Sequence, residues 1–300
     1  MKIAIIIPYF GKLPIWFDLY LYSCSKNPQV DFLFFTDCPI PKNIYSNTYF
    51  VTTTFAEYCD RVSKCLEIDF YPQNPYKLCD LRPFYGLIHK KELQDYDFWG
   101  YGDCDLVYGN LDIILNSKNL RTFNLITTHG DRVAGHFTII RKKSKYTGLC
   151  KKIHDYKRLL EDNCHHALDE DAFSKIIYPE LKNIGRIYRH LIKPLRIMSR
   201  GDYYNLVSKL LCNRFTKRLI WEYYTTPLPK KDDEWIYDME RGEVIENKKR
   251  NIPYLHFLPF KKNKYFELEY CWKDDFYRID KFPDKNRRYL SIDVTGISYK

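Results

Sequence analysis

Residues 2–11 read KIAIIIPYFG, an unbroken apolar run rich in isoleucine that stops at Pro8 and Gly11. A short run with no polar alternation fits a strand buried on both faces, as in a parallel sheet covered by helices. The next stretch, LPIWFDLYLYSCSKNP (residues 13–28), spaces Ile15, Leu19 and Tyr22 as on one helix face and closes on Asn-Pro. VDFLFFTD (30–37) is a second apolar strand ending in a carboxylate, Asp37. Strand, helix, strand calls for a right-handed βαβ crossover, so the chain reads as α/β with a mixed, mainly parallel sheet flanked by helices.

The pattern continues with a strand in TYFVTTTF (48–55), a helix in FAEYCDRVSKCLEIDF (55–70) and a helix opened by Pro83 in RPFYGLIHKKELQDY (82–96). NLITTHG (124–130) and HFTIIRK (136–142) read as strands, YTGLCKKIHDYKRLLEDN (146–163) and DEDAFSKIIYPEL (169–181) as helices. Past residue 186 the regularity weakens, and a hairpin plus a final strand are expected in residues 234–260. The expected organisation is a core over residues 1–185 and a carboxy-terminal extension over 186–300 that returns to the site near 252–262.

Composition narrows the class. With 300 residues, 45% hydrophobic and 17% aromatic, the chain is globular and long enough for a large core. No apolar run is long enough for a spanning helix, and the amino terminus lacks a signal-peptide cleavage pattern, so a cytoplasmic protein is expected. Ten cysteines without a CxxC pair are expected as free thiols, and Cys164 with His165 and His166 lacks the partner motif of a zinc site. The net charge of +10 is uneven: residues 186–220 hold nine Lys or Arg against one Asp. A solvated basic face is the plain reading; nucleic acid, a phosphorylated substrate or an anionic membrane surface would each account for it functionally, and membrane contact is the expectation.

Four segments carry chemistry. In DFWGYGDCDLVYGNL (97–111) an aromatic strand ends in Asp103 and Asp105, with Gly109 allowing the chain to turn. Two carboxylates one residue apart at a strand end can share a hard cation such as Mn²⁺ or Mg²⁺, which completes its shell with phosphate oxygens. Ligands of open α/β sheets bind at that end of the strands. In PYKLCDLRPFYG (75–86) Lys77, Asp80 and Arg82 precede the expected helix, suited to phosphate and ribose or to an ordinary N-cap with two surface cations. ALDEDAFSK (167–175) opens a helix with Asp169, Glu170 and Asp171, where the helix dipole alone favours acids. IPYLHFLPFKK (252–262) offers His256 as a metal ligand and Lys261 and Lys262 as cations for phosphate.

Taken together these segments resemble the GT-A glycosyltransferases, and the late ones resemble glycosyltransferase family 8. The resemblance implies that Asp103, Asp105 and His256 bind Mn²⁺ or Mg²⁺ and that Lys261 or Lys262 meets the diphosphate of a nucleotide-sugar donor, expected to be a UDP-sugar. It implies that Pro8, Tyr9, Phe10 and Asp37 line the nucleoside pocket, with Cys104 in the same donor region. Lys77, Asp80 and Arg82 fall on the sugar–ribose side and Asp169, Glu170 and Asp171 at the catalytic position, where family 8 has Gln in place of Glu170. IPYFGKLP, PYKLCD, GYGDCDLVYG and GHFTIIR also look like a bacterial family found with surface-polysaccharide enzymes, over roughly residues 1–180. A glycan or lipid-linked glycan acceptor, approached through Gly135 and His136, follows from that likeness.

Two other classes fit less well. A nucleotidyltransferase would also use paired aspartates, but a phosphate-cradling Gly-rich loop is missing after the first strand. A nucleic-acid-binding protein would use the positive charge, but the acidic motifs would repel a phosphate backbone, so no nucleic-acid partner is expected.

Overall fold

The computed structural model describes residues 1–129, 132–179, 186–199, 202–203, 206, 216–218, 222–261, 278–284 and 286–300. Lys262, Cys212, Cys271 and much of the basic stretch 186–220 lie outside the described residues.

The strands are β1 (Ile3–Pro8), β2 (Val30–Thr36), β3 (Thr48–Thr52), β4 (Phe98–Gly102), β5 (Leu106–Tyr108), β6 (Leu125–Thr127), β7 (Phe137–Arg141), β8 (Thr216–Arg218), β9 (Trp235–Asp238), β10 (Glu243–Glu246), β11 (Arg250–Ile252), β12 (Tyr254–His256), β13 (Arg278–Ile279), β14 (Tyr289–Asp293) and β15 (Gly296–Tyr299). The first sheet has the order β3-β2-β1-β4-β7-β6-β8. β1, β2, β3 and β4 are parallel neighbours, and β7 runs antiparallel between β4 and β6. This is the mixed, mainly parallel α/β sheet that the opening run demands. Ile3, Ala4, Ile5, Ile6 and Ile7 are all buried, with Ala4 and Ile6 in one core cluster and Ile3, Ile5 and Ile7 in the other, so alternate side chains fill both faces.

Helix α1 (Phe17–Ser25) covers one face with Phe17, Tyr20, Leu21 and Cys24. Ile15, expected on its apolar stripe, precedes the helix and is exposed. Helix α2 (Phe55–Leu66) covers the other face and is started by a capping box between Thr54 and Glu57. The helix expected from Pro83 starts earlier: Asn74 accepts from the Tyr76 N–H, Pro75 takes the first position, and a 3₁₀ helix runs over Pro75–Phe84 before a single α turn, α3 (Tyr85–Ile88). Lys77, Asp80 and Arg82 therefore lie inside a helical segment. The stretch 146–163 is not one helix: 3₁₀ turns over Lys145–Lys152 are separated from a helix at Tyr156–Glu161 by Asp155, whose φ of 53° breaks the pattern. Asp169–Phe173 forms a π-helical turn leading into Ser174–Ile177.

The second sheet has the order β11-β10-β9-β14-β15-β13 and is built from residues 235–299. The expected hairpin is β9–β10, and β12 is the expected final strand, but it leaves this sheet to pair antiparallel with β5 (Leu255 opposite Val107, His256 opposite Leu106). Gly109, expected as a turn residue, is required by close approach instead. A Cβ there would sit 2.5 Å from the Ile252 carbonyl oxygen, where the second sheet lies on the end of β5. No helix among the described residues is long and apolar enough to cross a membrane.

Candidate active site

Asp103 and Asp105 flank the short connection between β4 and β5. Its backbone is pinned: the Asp103 N–H donates to the His136 carbonyl at 3.2 Å, the Trp16 indole N–H to the Cys104 carbonyl at 2.9 Å, and the Phe257 N–H to the Asp105 carbonyl at 3.1 Å. Cys104 packs among the α1-side core residues, its thiol pushed up by burial, while the two aspartates flank it.

His256 ends β12, and the β5 pairing sets its ring beside the aspartates. Its Nε2 is 3.3 Å from Asp105 Oδ1, and ligand atoms of Asp103, Asp105 and His256 lie within 4.8 Å of one another. Asp105 Oδ1 and His256 Nε2 are buried without a hydrogen-bond partner. These two buried atoms face each other across 3.3 Å with no other polar partner among the described residues, and with Asp103 beside them they offer a ligand set for a cation. The donor set of two carboxylates and one imidazole fits Mn²⁺ or Mg²⁺. His256 Nδ1 lies 3.3 Å from Thr226 Oγ1, and its ring stacks at 4.2 Å on His136, whose Nε2 is 2.9 Å from the Tyr254 hydroxyl. His136 is buried and its pKa is depressed by burial and by His256 beside it, so it is a neutral support for the ligand ring.

Each aspartate also has a cation. Lys261 Nζ is 2.6 Å from Asp105 Oδ2, and Arg82 pairs with Asp103 and, at 3.0 Å, with Asp169. Burial opposes ionisation of Asp105, but Lys261 and His256 outweigh it and hold its pKa well below the usual carboxylate range. Asp103 goes the other way: burial, opposed by Arg82, lifts it to about 6. Asp169 is also raised by burial. Glu170 is lowered, because Arg132 at 3.1 Å and His129 overcome its burial, and it accepts from the Gly135 N–H at 3.1 Å.

These residues surround a cleft of about 620 Å³ at the carboxyl ends of β1 and β4, the size of a small-molecule site. Of the residues anticipated from sequence, Pro8, Tyr9, Phe10, Arg82, Asp103, Cys104, Asp105, His136, Asp169, Glu170, His256 and Lys261 border it. The Phe10 ring is backed by Phe55 and Tyr58.

Other anticipated residues sit elsewhere. Asp37 does not border the cleft; it follows β2 and accepts from the Gly11 N–H at 2.9 Å. Asp171 is exposed and pairs with Lys175 one turn on. Gly135 lies behind the carboxylates, and a Cβ there would meet Arg82, Asp169 and Glu170 at 2.7–2.9 Å. Lys77 and Asp80 are buried beneath the cleft: Lys77 Nζ is 3.2 Å from Asp80 and 3.1 Å from Asp162 and donates to the Leu159 and Cys164 carbonyls. Asp80 accepts from the backbone N–H groups of His166 and Leu168. Residues that sequence reasoning missed include Trp16, Asn74, Tyr76, Cys79 and His165. Trp16 carried a signal, as a large aromatic just before the first helix; Tyr76 carried none, and His165 stood out only beside Cys164 and His166, because only folding brings the two rings together.

The described residues hold no second His, Cys, Asp and Glu cluster with metal-ligand spacing, so Cys164, His165 and His166 do not form one. Among solved structures, the apo form of mouse xyloside xylosyltransferase 1 is similar with a TM-score of 0.37 and 10% identity, over 60% of this chain and 82% of that one. The apo form of the glycosyltransferase GlyE of Streptococcus pneumoniae TIGR4 is similar with a TM-score of 0.34 and 14% identity, over 65% of this chain and 50% of that one. No curated protein matches the sequence. Residues 5–276 match a family of unknown function (DUF6625), and the chain belongs to that family.

Proposed function

We propose that the protein is a metal-dependent glycosyltransferase of GT-A type that moves a sugar from a nucleotide-diphosphate donor, a UDP-sugar in the first instance, to a glycan or lipid-linked glycan in bacterial surface-polysaccharide synthesis. The observation that carries this reading is the convergence of Asp103, Asp105 and His256, their ligand atoms within 4.8 Å of one another, in a cleft at the strand ends.

On this reading Asp103, Asp105 and His256 hold Mn²⁺ or Mg²⁺, which supplies charge stabilisation to the departing diphosphate. Lys261, paired with Asp105, and Arg82, paired with Asp103 and Asp169, add positive charge along the diphosphate. Pro8, Tyr9 and Trp16 flank the nucleoside end. Glu170, ionised and partly exposed to the cleft, presents negative charge where the sugar–phosphate bond breaks, and Asp169 orients Arg82. Residues 1–185 carry the donor core and 186–300 return His256 and Lys261 to it. The nine Lys or Arg against one Asp over residues 186–220 suit contact with an anionic membrane surface.

The test is a panel of nucleotide sugars incubated with the protein and Mn²⁺, reading free nucleoside diphosphate. Turnover of at least one donor is expected, with a loss of about 100-fold or more in Asp105→Ala. Absence of binding and turnover for every donor would sink the assignment, and unchanged metal-dependent binding in Asp105→Ala would sink the metal site.

A further inference from the structure

Two motifs remain unexplained by the donor chemistry: the buried Lys77–Asp80 pair, and two aromatic rings bordering the cleft. Lys77 is 2% exposed and Asp80 0%. A buried ion pair is retained only where its remaining hydrogen bonds are met, and here they are met by one loop. Lys77 grips the Leu159 and Cys164 carbonyls and the Asp162 carboxylate, while Asp80 takes the N–H groups of His166 and Leu168. Ala167 between them has a left-handed φ of 49°, which lets both flanking N–H groups turn to one carboxylate. The pair thus staples residues 159–168 to the 3₁₀ helix.

The staple fixes two side chains above it. Tyr76, next to Lys77, is 62% exposed, and its ring lies 4.8 Å from the ring of His165, tilted by 59°. Both rings border the cleft, and Tyr76 shares its 3₁₀ helix with Arg82, which pairs with Asp169 beside Glu170. An exposed aromatic ring held beside a polar ring at a cleft mouth suits a ligand with one apolar face and a hydroxylated edge.

We infer that Tyr76 and His165 form the acceptor subsite, stacking the apolar face of a pyranose ring with its hydroxyls turned to Glu170, and that Lys77 and Asp80 are positioning residues that hold this platform. The inference rests on the glycosyltransferase reading for the word acceptor, but saccharide binding at the rings can be measured without turnover.

The experiment measures equilibrium binding of a panel of oligosaccharides containing hexose, N-acetylhexosamine or uronic acid, and of UDP with Mn²⁺, to the full chain. The wild type is expected to bind at least one saccharide, Tyr76→Ala to weaken it about five- to tenfold, and Tyr76→Trp to restore it, with UDP affinity unchanged throughout. His165→Ala is expected to act in the same direction. In turnover, Tyr76→Ala should raise the saccharide KM by more than it lowers kcat. The platform is overturned if no saccharide binds, if Tyr76→Ala leaves saccharide affinity unchanged, or if it weakens UDP as much as saccharide, which would make the rings a nucleobase clamp. Saccharide binding lost in Tyr76→Ala, with no donor ever turned over, would keep the subsite and sink the parent reading.

Discussion

Single residues in this fold are set by what their one proton or one charge can reach. His89 is fully buried, with Nδ1 3.3 Å from Arg61 Nη1 and Nε2 2.8 Å from the Tyr58 hydroxyl. A guanidinium only donates, so Nδ1 accepts and Nε2 carries the proton and donates to Tyr58. Burial, and then the Arg61 charge, hold the pKa of His89 well below its ordinary value. The sign follows by linkage: in the unfolded chain the imidazole takes up a proton near pH 6.5, whereas the folded chain resists it. The contribution of His89 is therefore whole above about pH 6.5 and is lost as pH falls from there toward the depressed folded value, at about 1.4 kcal/mol per pH unit. Buried carboxylates titrate in the same window, so the test is a difference. Urea unfolding of wild type and His89→Gln between pH 7 and 5 should show the variant losing less stability on acidification by about that slope, and parallel curves would refute the assignment.

At the scale of elements, the helical segment beginning at Arg186 stands apart because it buries so little. Over Tyr188–Ile192 no residue is buried, and Tyr188 and Ile192 pack with Met198 against Tyr203. Ile187, Leu191 and Leu195 remain 45%, 56% and 67% exposed, among Arg186, Lys193 and Arg196. Apolar side chains spaced by four with cations between them match the requirements of an anionic bilayer surface. The protein should co-sediment with vesicles containing phosphatidylserine, and Leu191→Glu with Leu195→Glu should reduce this about tenfold. Equal pelleting with neutral phosphatidylcholine vesicles would count against it. The same scale explains what was legible. Strands β1, β2 and β7 announce themselves because each is a continuous apolar run, and Asp103 and Asp105 because they end such a run. The β14–β15 hairpin went unseen because Leu290 and Ile292 give only a short alternation between charged segments. Lys77 and Asp80 admitted both a ligand contact and an N-cap with surface cations, because a charged pair at i and i+3 looks the same in sequence whether it faces water or a core.

For the whole molecule, the decisive event is the return of β12. Between β11 and β13, two strands of the second sheet, the chain comes back to lay His256 opposite Leu106, one residue from Asp105. Only that long-range pairing brings His256 to the aspartate pair; LHFLPFKK shows the histidine in the sequence but not its place beside Asp105. The pairing also couples the two halves thermodynamically. A cation bound by Asp103, Asp105 and His256 would tie the end of the first sheet to β12, which lies between strands of the second, and an unfolded chain offers no such site. Binding to the folded state alone stabilises by mass action, by about 2.7 kcal/mol when the free metal is at 100 times its Kd. Mn²⁺ should therefore raise the Tm of the wild type by several degrees in a concentration-dependent way. His256→Ala should remove most of that rise, because two carboxylates already neutralised by Lys261 and Arg82 compete poorly for a cation. A Tm insensitive to Mn²⁺ in the wild type, or equally raised in His256→Ala, would show that the returning strand does not contribute a metal ligand.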